Sequence, residues 1–127
     1  MHIQEYVDLE AIRFQDTLVV DFSAQAIKDH MQIPPMLLIP FVENAFKHGR
    51  IINGQLAVSI QAKLHENHFI FQVVNTFRND IDEINQGIGL ENIRKRLSLL
   101  YQKQYDLVVS SNKEAFEIIL KIPREVL

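Results

Sequence analysis

The sequence contains no cysteine, which excludes disulfide bonds and thiolate metal sites and suits a reducing compartment. It also lacks an apolar run of about 18 residues or more, so no segment is expected to span a membrane. The net charge of −3 gives no indication of a nucleic-acid surface, and a nucleic-acid partner is not expected. No internal repeat or low-complexity tract is present. The 127 residues fit one domain with one hydrophobic core.

The N-terminal segment has no signal peptide, because residues 2–13 are polar and acidic. Its apolar residues fall near helical spacing and predict a helix over residues 3–14: Ile3, Tyr6, Val7 and Ile12. This helix looks like the end of a longer one rather than the start of a domain. We therefore expect the upstream part of the protein to be missing from the sequence.

Alternating apolar residues predict the strands of a sheet. Three are expected at residues 17–22, 55–64 and 68–75, with a turn at residues 65–67. A C-terminal hairpin is marked by Leu107 and Val109 on one strand and by Phe116, Ile118, Leu120 and Ile122 on the other.

Two helices are predicted beside these strands. Pro34 and Pro35 suit the first turn of a helix that runs to about His48, where Gly49 would end it, and Pro40 should bend it. A second helix is expected from about Leu90 to Lys103, after a polar loop at residues 76–86. Its apolar face is expected to hold Leu90, Ile93, Leu97, Leu100 and Tyr101. This mixture of elements predicts an open sheet with helices on a single face.

The first polar cluster lies at residues 43–48. Helical spacing turns Leu38, Phe41, Val42 and Ala45 toward the core and leaves Asn44 and Lys47 on the opposite stripe. An amide oxygen beside an ammonium group suits Mg²⁺ and polyphosphate. On spacing alone, an ordinary solvated helix face explains the pattern more often.

The second cluster is Gly87-Ile88-Gly89-Leu90, directly before the second predicted helix. Glycines let a backbone approach a ligand, and a helix N-terminus attracts anions. A loop that simply ends in a helix is the more common explanation of two such glycines in isolation.

Together these segments resemble the GHKL nucleotide-binding superfamily and, within it, the LytS-type sensor histidine kinases. Residues 33–49 resemble the N box of that family almost residue by residue, and residues 87–101 resemble its second glycine box and the following helix. Residues 6–14 resemble the junction that follows the phosphoacceptor helices. The resemblance covers nearly the whole chain, with its parts in the right order.

The resemblance implies an α+β fold, the Bergerat-type two-layer α/β sandwich, with a mixed sheet and helices packed on one face. Residues 1–15 would be the end of the dimerisation and phosphoacceptor helix with its junction. Residues 16–127 would be the histidine-kinase-like ATP-binding catalytic domain.

The resemblance also implies a site for ATP and Mg²⁺. Asn44 would ligand the metal, Lys47 would touch a phosphate, and these two would form the catalytic pair. His48 would lie close to the nucleotide. Gly87, Ile88, Gly89 and Leu90 would bind the nucleotide as the hinge or lining of a lid over the triphosphate.

Three positions depart from the family pattern. Asn75 stands where the superfamily has an aspartate that reads adenine; its side-chain oxygen can accept from the amine, but without charge. No glycine follows it at the usual spacing, and residues 112–116 replace the C-terminal glycine-threonine signature. None of the five histidines lies in the proline-histidine-phenylalanine motif of the phosphoacceptor.

The expected function is the supply of the γ-phosphoryl group to an upstream histidine and from there to a response regulator, for which the LytTR type is one candidate. The parent protein would be a homodimer anchored in the bacterial inner membrane, with this domain in the cytoplasm. Pro40 stands where hydrolytic members carry a glutamate, and Glu43 is expected to point elsewhere, which favours transfer over hydrolysis. The alternative is a degenerate nucleotide-binding or scaffolding module without kinase activity.

Overall fold

The computed structural model describes residues 3–14, 17–24, 35–76, 79–112 and 114–126, and for residues 13, 18, 20–24, 35–36 and 79–89 it describes the backbone only. In chain order the elements are α1 (Ile3–Phe14), β1 (Leu18–Ala24), α2 (Pro35–His48), β2 (Leu56–His65), β3 (His68–Thr76), α3 (Asn79–Tyr101), β4 (Asp106–Ser111) and β5 (Ala115–Pro123), and a 3-10 turn follows at Arg124–Val126. None of the described helices is both long and apolar enough to cross a membrane.

The five strands form one sheet in the order β1-β2-β3-β5-β4. β1 runs parallel to β2, and the other neighbours are antiparallel. Alternate residues of β2, β3 and β5 are buried on one face of the sheet, beneath the helices. The predicted α+β sandwich with a mixed sheet and helices on one face is therefore confirmed.

The centre of the core lies between α2 and the middle strands. Phe41 of α2 is fully buried, and its ring centroid is 6.1 Å from that of Phe71 on β3, a separation typical of favourable aromatic pairs. Among residues 37–48, only Glu43 and Lys47 are exposed. Neighbouring elements thus cover most of the surface of this helix, more than the single buried face of an amphipathic helix would require.

The predicted helix over residues 3–14 is present as α1, and aromatic contacts attach it to α2. The ring centroids of Tyr6 and Phe14 lie 5.9 Å and 6.1 Å from that of Phe46. Leu9 and Ile12 on the opposite side are exposed. α1 therefore uses one face to dock on the domain and leaves an apolar face outside.

The turn between β2 and β3 is the predicted one. Glu66 and Asn67 have φ values of 50° and 63°, so both adopt the left-handed conformation of a two-residue type I′ hairpin turn. Asparagine tolerates this conformation better than most residues. The turn fixes the register in which His65 faces His68.

The predicted loop at residues 76–86 and the predicted helix start at Leu90 are wrong over most of that range, because α3 already begins at Asn79. Each glycine inside a helix costs only about 1 kcal/mol relative to alanine, so two of them do not prevent a continuous helix. The helix ends at Tyr101, and Gln102 follows with a φ of 57° as a left-handed cap. Polarity and glycine are thus misleading signals of a loop in this segment.

The apolar face of α3 is narrower than expected. Leu90, Ile93 and Leu97 are buried, whereas Leu100, predicted to share their face, is 51% exposed. Leu97 and Tyr101 are four residues apart and continue the buried stripe, which leaves Leu100 at its edge.

This difference along α3 predicts two contrasting alanine variants. Leu97→Ala should lower the free energy of unfolding by about 2–5 kcal/mol, because the fully buried side chain leaves a cavity. Leu99→Ala should change it by less than about 0.5 kcal/mol, because that side chain is 85% exposed. Urea unfolding measures both, and equal losses in the two variants would contradict the packing described.

Candidate functional site

A cleft of about 200 Å³ opens between α2 and α3. Its walls are formed by Pro40, Glu43, Asn44, Lys47 and His48 from α2 and by Asn92, Ile93 and Arg96 from α3. The structure therefore brings together three of the residues singled out in the sequence: Asn44, Lys47 and His48. Glu43, which we expected to point elsewhere, lines the same cleft, and that expectation is wrong.

Asn44 is buried rather than solvated. Helical spacing predicts it on a free stripe opposite the core, but only 8% of the residue is exposed, because α3 packs along that side of α2. Its side-chain Nδ2 is buried and finds no hydrogen-bond partner among the described residues. An unpartnered buried polar group costs about 1–3 kcal/mol, so Asn44 holds a polar group ready for a partner in the cleft.

Lys47 and His48 occupy the last turn of α2, next to Asn44. The Lys47 side chain is exposed, and His48 is half-buried. Arg50 covers two carbonyl oxygens at the end of this helix. Its Nη1 donates to the Gly49 carbonyl at 3.0 Å and to the Lys47 carbonyl at 3.4 Å. A guanidinium at this end of a helix also complements the negative end of its dipole.

Asn75 lies outside this cleft. It is 2% exposed at the end of β3, and its Nδ2 donates to the Thr76 carbonyl at 3.0 Å. Asn75 lies beneath Gly49, the residue that ends α2. Among the described residues, Asn75 therefore does not line the cleft with Asn44, Lys47 and His48, although it packs next to Gly49.

Thr76 fastens the end of β3 to the segment after α2. Its hydroxyl donates to the Arg50 carbonyl at 2.7 Å and accepts from the Ala57 amide at 3.1 Å. Its carbonyl accepts from the Arg50 amide at 2.8 Å. These bonds hold the end of α2, and with it Lys47 and His48, at a fixed place over the sheet.

Gly49 is required here for space. A Cβ at this position would lie 2.5 Å from the Ala45 carbonyl oxygen and 2.6 Å from Leu56 Cδ1. Helix α2 ends directly before it, at the predicted place. The close approach of this backbone to β2 and Asn75 explains the need for a glycine.

Gly49→Ala is expected to lower the free energy of unfolding by about 1–3 kcal/mol, the usual cost of overpacking, since the nearest atom belongs to the backbone and cannot move aside. Gly54→Asn is the comparison, because a Cβ at that position would meet no atom within 4 Å, and its loss should be confined to the smaller strain of an asparagine at a φ of 81°. Chemical denaturation compares the two. A Gly49→Ala variant as stable as the parent chain would rule out the tight contact.

The glycine cluster does not precede a helix N-terminus. Gly87 and Gly89 lie inside α3, so the predicted arrangement of free amides before a helix start is wrong for this structure. The surroundings of Gly87, Ile88 and Gly89 lie outside the described contacts. Leu90 is 8% exposed and belongs to the hydrophobic core instead of lining the cleft.

Two residues of the cleft were not identified from the sequence: Asn92 and Arg96. They are four residues apart on α3, so they share one face of the helix. A signal is present in the sequence, since Asn92 and Arg96 follow the second glycine box in a polar stripe beside the buried Ile93. Such a stripe is more often a face exposed to solvent, and it does not by itself indicate a site.

Relatives that match nearly the whole chain are named sensor histidine kinases or sensor proteins. The chain is 26% identical over 133 residues to the sensor histidine kinase BtsS of Escherichia coli, covering 96% of the chain and 22% of BtsS. It is 27% identical over 141 residues to the sensor protein LytS of Streptococcus agalactiae, covering 98% of the chain and 24% of LytS. The chain thus spans less than a quarter of these relatives. They confirm the resemblance to LytS-type sensor histidine kinases.

Solved structures agree with the fold. The chain superposes on the catalytic domain of the histidine kinase ThkA with a TM-score of 0.60 at 13% identity, covering 100% of the chain and 97% of ThkA's domain. It superposes on full-length ShkA in complex with AMPPNP with a TM-score of 0.66 at 17% identity, covering 94% of the chain and 28% of ShkA. No protein-family model matches the chain. The fold is that of a histidine kinase catalytic domain.

Proposed function

We propose that this chain is the ATP-binding catalytic domain of a two-component sensor histidine kinase, and that it supplies the γ-phosphoryl group to a histidine of the parent protein. The observation that carries the proposal is the buried Asn44, whose side-chain Nδ2 has no hydrogen-bond partner among the described residues, in a cleft that also holds Lys47. The fold and the named relatives support it. ShkA, which shares the fold, binds the ATP analogue AMPPNP.

The side chains of the cleft fit ATP and Mg²⁺ by their chemistry. The amide oxygen of Asn44 is a suitable ligand for Mg²⁺, which prefers oxygen donors and keeps several waters. Lys47 provides a point charge for a phosphate. Bound Mg²⁺ neutralises charge on the phosphates, and Asn44 and Lys47 hold the triphosphate in place for transfer. His48, at the edge of the cleft, would lie close to the nucleotide.

The remaining nucleotide contacts belong to the proposal as well. Asn75 would meet the adenine amine through its side-chain oxygen, which requires a path to this buried side chain. Gly87, Ile88 and Gly89 would contribute the lid side of the site, whereas Leu90 belongs to the core.

Only the position of Pro40 favours transfer over hydrolysis, because the carboxylate of Glu43 lines the same cleft. Pro40 lines the cleft one helical turn before Asn44 and has no group that can activate a water. The acceptor imidazole would attack the γ-phosphorus while the bond to the bridging oxygen breaks, and the electron pair would leave with ADP. The domain contributes mainly position and charge to such a step.

The parent protein follows from the same proposal. Residues 1–15 would continue the dimerisation and phosphoacceptor helix, and the exposed apolar residues Leu9 and Ile12 of α1 suit a helix that packs against more protein. Residues 16–127 would be the catalytic domain. The parent would be a membrane-anchored homodimer that keeps this domain in the cytoplasm and passes the phosphoryl group to a response regulator.

Calorimetric titration with ATP, with and without Mg²⁺, separates the kinase domain from a degenerate scaffolding module. The proposal expects saturable binding that is tighter with Mg²⁺. Adenosine titrated in parallel reports the contribution of the base alone. Failure of the folded chain to bind ATP under either condition would favour the scaffold.

A further inference from the structure

The α3 wall of the cleft carries a second cation. Arg96 lines the cleft from α3, while Lys47 lines it from α2, with the buried Asn44 on the same lining. Both cationic residues are exposed to solvent, and Ile93 of α3 is buried. The cleft therefore presents cations from both helices above a buried amide.

The charge balance of this lining favours an anionic ligand. Two cationic side chains, Lys47 and Arg96, face one carboxylate, Glu43, among the lining residues whose side chains the structure describes. Cations on separate helices gain most from a ligand that carries several negative groups, since such a ligand can meet both at once. A triphosphate has that property, and an uncharged nucleoside does not.

We propose that Arg96 is a phosphate-binding residue, which holds the triphosphate from α3 while Asn44 and Lys47 hold it from α2. This inference rests on the proposed function of the cleft. A guanidinium offers a planar fork that pairs with two phosphate oxygens at once, which the ammonium of Lys47 cannot do. Asn92, one turn earlier on the same face, lies beside it on the cleft wall.

If Arg96 binds a phosphate, it should affect the affinity for ATP and not the affinity for adenosine. Arg96 lies two turns after Gly89 on the same helix, so a phosphate that binds Arg96 connects α3 directly to the metal-binding side of α2. A ligand without phosphates makes no use of this residue. Arg96 therefore contributes to the affinity for ATP and leaves the affinity for adenosine unchanged.

The test is calorimetric titration of Arg96→Ala and Arg96→Lys with Mg-ATP and with adenosine. Lys95→Ala is the matched control, because it removes the same charge from the neighbouring exposed position outside the cleft. Arg96→Ala should bind Mg-ATP at least about tenfold more weakly, the scale of one charge-assisted contact, with adenosine binding unchanged. Arg96→Lys should recover part of the affinity, and Lys95→Ala should retain nearly all of it.

The outcomes separate this inference from the proposed function. If the parent chain binds Mg-ATP and folded Arg96→Ala binds it equally well, Arg96 has no phosphate-binding role, and the proposed function stands. Equal losses of ATP and adenosine binding would also overturn the inference, because they indicate a general distortion. If the parent chain binds neither ligand, the inference and the proposed function both fail.

Discussion

Asn44→Ala should lower the affinity for Mg-ATP by about tenfold or more, equivalent to about 1.4 kcal/mol, and leave the fold intact. The fold should survive although the residue is buried, because Nδ2, one of the two polar atoms that are lost, makes no hydrogen bond among the described residues. A buried polar group without a partner carries a desolvation cost, and its removal takes that cost away. The loss should be confined to nucleotide binding.

The dependence on metal makes this prediction sharper. If Asn44 ligands Mg²⁺, the alanine variant should lose most of the difference between ATP binding measured with and without the metal. Asn44→Asp keeps the shape of the side chain and adds a negative charge beside the phosphates, so it should weaken ATP binding measured without Mg²⁺.

Calorimetric titration after thermal melts gives both quantities. Gln61→Ala serves as the control, since Gln61 is a partly exposed polar residue on β2 outside the cleft lining. A folded Asn44→Ala variant that binds Mg-ATP as tightly as the parent chain would show that the metal-ligand role is wrong.

The second large effect is the absence of self-phosphorylation. The 127-residue chain should incorporate no acid-labile, base-stable label from γ-labelled ATP, even where it binds the nucleotide as proposed. Such label is the signature of phosphohistidine, and none of the five histidines lies in the family's phosphoacceptor motif. His48, although it lines the cleft, should also stay unlabelled. Acid-labile, base-stable label on this chain would mean that one of its own histidines is an acceptor.

The sheet and helix α2, which forms one wall of the cleft, could be predicted from the sequence. Period-two alternation is a strong signal where one sheet face is buried, as in β2, β3 and β5. The extent of α2 was also predictable, because Pro35 suits its start and Gly49 follows its end. Local chemistry determines each of these features.

The wall of the cleft that α3 forms could not be predicted in the same way, because it depends on tertiary packing. Helical spacing alone leaves Asn44 on a free stripe, and only the position of α3 over that stripe buries it. The same contact brings Arg96 into the cleft. The start of α3 at Asn79 could not be predicted because a polar segment with two glycines is typical of loops, and helical propensity is too weak a signal to decide otherwise.

The most direct test of the account is transfer in trans. The chain, γ-labelled ATP and Mg²⁺ are combined with the phosphoacceptor helix pair of the parent kinase, supplied as a separate protein, and acid-labile label on that helix pair is measured over time. The account predicts label on the helix pair, which disappears when its motif histidine is replaced and falls at least about tenfold with Asn44→Ala. A helix pair that stays unlabelled while the chain binds Mg-ATP would contradict the assignment of this chain as a kinase domain.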